Sequence, residues 1–368
     1  MKYGVFGGSF NPPHNEHKNI CETAKKELGL DKIILLPCGN APHKTNLVPF
    51  EKRCEMLSIL FGKDIIIDDI ENRIDGLTNS ARILPMLKDK YGDIVFIIGG
   101  DSMIAMDRWI EPIKVMTTCP VAVVSREEKS KALIDAVNKY RGIGSDITIL
   151  DYVGSECSST MIRTYFELAL TPPMIPNELS EYIKQNKLYS TYSDMLEKVS
   201  KRLPEKRLAH TKEVVLMAIR LNFQLGLPYE KVFISALLHD IAKYSDKKEI
   251  IYDNMLFKEP VAHAFVGAEL AQDEFGIEDK EILNAIRYHT TGRANMSTLE
   301  KLIYLSDYIE ETRNFDQVAE IRALSLKNFN DGFIQAVTKQ MKFLEGKENI
   351  SPLTSECYNY YTKTIQSN

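Results

Sequence analysis

Two sets of residues in this chain have types and spacings suited to phosphorus chemistry. The first is Gly7-Gly8-Ser9-Phe10-Asn11-Pro12-Pro13-His14-Asn15-Glu16-His17, which follows an apolar run and precedes a helical pattern. Paired glycines let the backbone turn where a phosphate can approach, and the histidines fall at the N-terminus of the next helix. Exposed N–H groups, the positive end of the helix dipole and imidazole donors all favour an anion there. Far downstream, Ser158-Ser159-Thr160 stands directly before Met161-Ile162-Arg163. Hydroxyls at a helix start serve as caps on their own. A permanently charged planar fork one turn inside the helix extends that cap into a cradle for polyphosphate oxygens.

The second set is His210, His239-Asp240, His263, His289 and Asp307, and it takes in every histidine of the second half. The His239-Asp240 pair reads as part of an apolar helix from Leu237 to Lys243, where it is costly to bury without a partner. A metal supplies that partner. Neutral imidazoles bind through nitrogen and a carboxylate can bridge two ions, so the mixture suits two borderline metals such as iron or manganese, with zinc or cobalt as alternatives. Such a pair turns water into a nucleophile for in-line attack on phosphorus, which is hydrolysis of a phosphate ester or phosphoanhydride. Thr290, Thr291 and Arg293 beyond His289, together with Lys243 and Arg313, are candidates for holding the substrate's phosphates.

Different architectures must position the two sets. Apolar, β-branched runs recur at Lys2–Phe6, Lys32–Leu36, Asp64–Asp68, Ile94–Ile98, Val121–Val124 and Ile147–Leu150, with helical stretches between them. That alternation predicts a parallel sheet covered by helices on both faces, with ligands at the carboxyl ends of its strands. After Tyr189 such runs stop, and apolar residues recur at three- and four-residue spacing, as in Val214, Val215, Ala218 and Leu221. An all-helical second half follows, with the boundary near Ser190 to Asp194. The expected domains are residues 1–191, α/β and Rossmann-like, and residues 192–368, all-α.

Composition narrows the function classes. A chain of 368 residues with 44% hydrophobic and 26% charged residues is that of an ordinary folded protein. Forty-six basic and fifty-one acidic residues leave a formal charge of -5 with no long basic run, so no nucleic-acid footprint is expected. No stretch approaches the roughly 18 apolar residues that span a bilayer, and no signal-peptide pattern opens the chain. The expected address is cytoplasmic, with no membrane partner and with the six scattered cysteines as reduced thiols.

The first set, together with Pro42-His43-Lys44, Gly99-Gly100-Asp101-Ser102-Met103 and Trp109, resembles the bacterial nicotinate-mononucleotide adenylyltransferases over about residues 1–190. The resemblance implies adenylyl transfer from ATP, with Mg2+, to nicotinate mononucleotide. His14 and His17 would stabilise the transition state. Arg163 with Ser158, Ser159 and Thr160 would grip the β,γ-phosphates, and Lys44 would add positive charge. Gly7, Gly8, Ser9, Phe10 and His43 would complete the nucleotide site, Asp101 would hold nucleotide hydroxyls, and Trp109 would stack on the pyridine ring. Two departures stand out: Glu16 where the family has glycine, and Thr78-Asn79-Ser80 where it has Ser-Tyr-Thr.

The second set, with His263-Ala264, Gly267-Ala268, His289-Thr290-Thr291-Gly292-Arg293, Met296 and Leu299-Glu300-Lys301, resembles the HD-type symmetrical diadenosine-tetraphosphate hydrolases over about residues 195–345. That resemblance implies a di-iron centre and two ADP as products. By position, His210, His239, Asp240 and Asp307 would bind one ion, Asp240, His263 and His289 the other, and Lys243 would act in catalysis. The combined expectation is a bifunctional enzyme whose partners are ATP, nicotinate mononucleotide and diadenosine tetraphosphate, with self-association left open. The alternative is a nucleotide-sensing first domain joined to a hydrolase of another nucleotide, such as a guanosine polyphosphate.

Overall fold

Strands that are apolar on both sides need helices over both faces of their sheet. The computed structural model describes residues 1–368 except 40–46, 75, 77, 126–129, 153, 155–156, 348–349 and 364–368. Strands β1 (Lys2–Gly8), β2 (Lys32–Pro37), β3 (Ile65–Ile67), β4 (Asp93–Gly99), β5 (Val121–Val124) and β6 (Ile147–Ile149) form one sheet in the order β3-β2-β1-β4-β5-β6. Every neighbouring pair is parallel, and each strand falls on a run read from the sequence. Side chains of β2 alternate between two cores: Ile34 and Leu36 join Val5 and Phe96 on one face, and Ile33 and Leu35 join Val95 and Ile97 on the other. The chain's direction of progress across the sheet reverses between β1 and β4. The carboxyl ends of those two strands therefore flank the crevice in which open α/β sheets bind ligands.

The role expected of Gly7 and Gly8 needs correcting. They do not make the turn but end β1, and the left-handed residue of the loop is Phe10, at φ 47°. Gly7 faces open space, with nothing within 4 Å of an added Cβ, whereas a side chain on Gly8 would crowd the Phe10 ring at 3.1 Å. Both glycines line the cavity at the strand ends.

The chain divides into two compact units, Met1–Phe166 with Leu170–Tyr189, and Glu167–Ala169 with Ser190–Asn368. Helices dominate the second. Tyr229–Leu238 is buried at every position from Val232 onward, the mark of a helix enclosed on all sides. Around it lie Glu205–Leu225, Lys280–Tyr288 and Thr298–Ile309, with Ala262–Phe275 packed against Lys280–Tyr288. Among the described residues no helix is long and apolar enough to cross a membrane.

Periodicity alone misses one element of this helical unit, a hairpin. Strands β7 (Glu249–Tyr252) and β8 (Met255–Lys258) pair antiparallel, turning through Asp253 and Asn254 at φ 50° and 60°, residue types that tolerate the left-handed region. Ile250 and Phe257 are buried cross-strand partners, whereas their neighbours Ile251 and Leu256 are exposed.

Candidate active sites

In the first unit, the loop after β1 is held by buried donors. Arg53, 2% exposed, gives Nη1 to the Ser9 carbonyl at 2.9 Å, Nη2 to the Cys38 carbonyl at 2.7 Å and Nε to the Val48 carbonyl at 3.0 Å. Arg163 Nη1 donates to the Asn11 carbonyl at 2.8 Å, Ser159 Oγ to the Pro12 carbonyl at 2.8 Å, and the Tyr189 hydroxyl to Asn11 Oδ1 at 2.9 Å. The segment that delivers the histidines is thereby fixed before any ligand arrives. Arg53→Ala leaves buried carbonyls without their donor, so it is expected to lower the free energy of unfolding by about 3 kcal/mol. Denaturant unfolding checks this, and an unchanged midpoint contradicts it.

His14 is the N-cap of the Asn15–Leu28 helix, and its backbone N–H donates to His17 Nδ1 at 3.2 Å. An accepting Nδ1 places the proton of neutral His17 on Nε2, which becomes a donor. The two imidazoles lie 3.7 Å apart, centre to centre, tilted by 32°. Glu16 between them is 1% exposed, so its carboxylate is withdrawn from solvent.

Of the residues read as a phosphate cradle, Ser158 Oγ accepts from the Met161 N–H at 3.2 Å as a helix cap. Thr160 Oγ1 accepts from Arg163 Nη2 at 3.1 Å. Arg163, Ser159 and the histidine loop are brought together, with Arg163 joined to the loop's backbone. Trp109 packs edge-on to Phe96 at 6.5 Å and also lines the cavity of about 180 Å3 with Gly7, Gly8, Glu71 and Ser102. Asp101 is exposed in the first turn after β4. His43 and Lys44 lie outside the described residues.

In the second unit, helix ends rather than helix interiors present several of the histidines, a correction to the sequence reading. The Tyr229–Leu238 helix stops just before His239, and Lys280–Tyr288 stops just before His289. Both side chains turn back: His239 Nδ1 lies 2.7 Å from the Ala236 carbonyl and His289 Nδ1 2.7 Å from the Ile286 carbonyl. A bond to a carbonyl requires the proton on Nδ1, so each Nε2 carries a lone pair. His263 lies in the first turn of Ala262–Phe275, while His210 and Asp307 are inside Glu205–Leu225 and Thr298–Ile309.

These residues converge. Asp240 Oδ1 is 3.0 Å from His263 Nε2 and 3.6 Å from His289 Nε2, and its Oδ2 is 3.5 Å from His239 Nε2 and 3.9 Å from His210 Nε2. Asp307 Oδ1 is 3.1 Å from His210 Nε2 and 3.9 Å from His239 Nε2. Donor atoms of His210, His239 and Asp307 lie within 4.8 Å of one another, as do those of His239, Asp240 and His289. The buried Nε2 atoms of His210, His239 and His289 have no hydrogen-bond partner. Buried nitrogens without partners, arranged around two carboxylates, fit a pair of cations.

Electrostatics agree with that fit. Burial pushes His239 down to about 4 and also lowers His263, keeping both neutral and able to ligate. Burial opposes ionisation of Asp240 and Asp307, yet His239 and the other imidazoles hold Asp240 low, and His210 with Arg313 hold Asp307 low. Burial works against a charged His210 too, but the carboxylates of Asp307 and Glu310 raise it, so a cation there replaces a proton.

Cations ring the centre. Arg207 Nη1 is 2.8 Å from Asp240 Oδ2, Arg313 Nη2 is 2.6 Å from Asp307 Oδ1, and Lys243 Nζ is 3.3 Å from His263 Nε2. Sequence reading missed Arg207, although it precedes His210 by one helical turn. Arg293 is engaged elsewhere: Nε and Nη2 bind both oxygens of buried Glu300 at 2.9 and 2.7 Å, and the fork lies over the Tyr288 ring. Thr291 is fully buried, with its hydroxyl on the Gly292 carbonyl, whereas the Thr290 hydroxyl has no partner.

Gly292 completes this segment at φ +60°, where a Cβ would come 2.6 Å from Cys357 Sγ. Gly292→Ala is therefore expected to destabilise the second unit by about 2 kcal/mol through backbone strain and collision with the Pro352–Lys363 helix. A melting curve unchanged from the parent's would contradict this.

The cytidylyltransferase-like family matches residues 5–165, and the HD domain matches residues 207–312. The second half is 40% identical over 172 residues to the symmetrical bis(5'-nucleosyl)-tetraphosphatase of Bacillus subtilis, spanning 44% of this chain and 92% of the relative. The first half is 32% identical over 197 residues to a probable nicotinate-nucleotide adenylyltransferase of Clostridium acetobutylicum, spanning 51% of this chain and 98% of that one. A Mycoplasma genitalium protein described as a probable nicotinate-nucleotide adenylyltransferase/Ap4A hydrolase is 26% identical over 332 residues, covering 86% of this chain and 89% of its own.

Proposed function

We infer, from a chain that belongs to the nicotinate-nucleotide adenylyltransferases through its first half and to the symmetrical bis(5'-nucleosyl)-tetraphosphatases through its second, that it is a bifunctional enzyme. One activity joins nicotinate mononucleotide to the adenylyl group of ATP, forming the dinucleotide precursor of NAD and releasing pyrophosphate. The other cleaves diadenosine tetraphosphate (Ap4A) at its central bridging oxygen and gives two ADP.

In the first reaction a phosphate oxygen of the mononucleotide bonds to the α-phosphorus of ATP as the bond to pyrophosphate breaks. The chain has to align the two phosphates and stabilise the charge that spreads over the transferring oxygens. His17 Nε2, at the N-terminus of the Asn15–Leu28 helix, is assigned that charge. Arg163, Ser158, Ser159, Thr160 and Lys44 are assigned the departing phosphates, with Mg2+ carried in by ATP. Trp109, beside the cavity at the β1 and β4 ends, is assigned the pyridine ring.

In the second, His210, His239, Asp240, His263, His289 and Asp307 would hold two transition-metal ions; imidazole and carboxylate donors suit iron or manganese, with zinc or cobalt as alternatives, and iron is the choice that the resemblance to the HD-type hydrolases implies. Such ions supply a water of lowered pKa and draw charge from the phosphate oxygens. Asp240 would help to hold both ions, the histidine Nδ1 bonds keep the Nε2 lone pairs on target, and Lys243, Arg207, Arg313 and Thr290 would bind and neutralise the polyphosphate. The observation that carries this reading is the set of buried, partnerless Nε2 atoms facing Asp240 and Asp307. Product chromatography tests both halves. Ap4A should yield ADP alone, and nicotinate mononucleotide with ATP should yield the deamido-dinucleotide and pyrophosphate; ATP plus AMP from the tetraphosphate would refute symmetrical cleavage.

A further inference from the structure

We propose that Glu310 is a positioning residue that makes the two metal positions unequal, strengthening the one built on His210 and Asp307. The proposal rests on the two-cation reading of the site. Its starting point is a difference in how the histidines are anchored. His239 and His289 lean on peptide carbonyls through Nδ1, whereas His210 Nδ1 meets the Glu310 carboxylate at 3.1 Å. Glu310 is fully buried and stands at the end of the Thr298–Ile309 helix, one turn beyond Asp307.

Its carboxylate has no freedom to serve elsewhere. Oε2 accepts the Thr312 N–H at 2.5 Å and Oε1 the Thr312 hydroxyl at 2.6 Å, which leaves Oε1 fixed against the imidazole. A carboxylate draws the Nδ1 proton more strongly than a neutral carbonyl does, and so enriches the lone pair on Nε2. That Nε2 is 3.1 Å from Asp307 Oδ1, so the gain falls on the ion these two share and not on the ion beside His263 and His289. Glutamine is a poor replacement despite its shape. With its oxygen turned to His210 and the Thr312 hydroxyl, its NH2 group faces the Thr312 N–H, a donor against a donor.

The test is titration of the metal-free full-length protein with Co(II), followed by the visible absorption of the bound ion. The parent should bind two ions in resolved steps. Glu310→Gln should weaken the tighter step by about 10- to 100-fold and leave the other in place, while Glu311→Gln, at an exposed neighbour, should change neither. Where the glutamine variant fails to fold, judged by its melting without metal, Glu310→Asp retains the charge but withdraws it from His210 and should show the same one-sided loss. Equal weakening of both steps would reveal a merely structural role, and two unchanged steps no role; either overturns the proposal. A parent that binds fewer than two ions would instead overturn the two-cation reading itself.

Discussion

Asp240→Asn should lower the rate of Ap4A hydrolysis by about a thousandfold or more, the scale on which a catalytic constellation fails when one of its members is removed. Its two oxygens lie between 3.0 and 3.9 Å from Nε2 of His210, His239, His263 and His289. No other carboxylate among the described residues reaches all four. An asparagine keeps the volume but offers one neutral oxygen in place of an anion with two, so both proposed ions would lose a ligand together. Adenylyl transfer, in the other unit, should be untouched. Paired assays on one preparation check this, and a variant that hydrolyses as fast as the parent would remove Asp240 from the centre.

His17→Ala should reduce adenylyl transfer by about 100- to 1,000-fold, the cost of deleting one preorganised donor to a developing phosphate charge. The fall should appear in kcat more than in KM, since Nε2 is aimed by the His14 N–H bond to Nδ1 before substrate binds. Ap4A hydrolysis serves as the internal control for folding. A variant with the parent's kcat would show that the histidine pair only caps its helix.

The β-sheet and the cluster of histidines and aspartates were legible in the sequence for physical reasons. Strands buried on both faces must be apolar runs, so β2, β4 and β5 stand out, and the shorter edge strands β3 and β6 are still β-branched runs. Histidines and aspartates are rare enough in apolar helical surroundings that their convergence could be expected. What escaped notice was either short or distant. The hairpin has only four residues per strand, too few to break a helical reading, although Asp253-Asn254 is a turn signal. The continued apolar run past Leu238 hid the helix end, because a histidine that bonds back to Ala236 leaves no mark in hydropathy. Arg53 and Glu310 have partners up to 44 and 100 residues away, and no local pattern reports such pairings. The one-turn spacing of Arg207 from His210 and of Glu310 from Asp307 was the available clue.

The most direct test of the account is metal analysis joined to activity on the full-length protein. Stripped of transition ions, the protein should lose Ap4A hydrolysis, and it should regain it on adding Fe(II) as occupancy approaches two ions per chain. Full hydrolytic activity in protein free of every transition ion would contradict it.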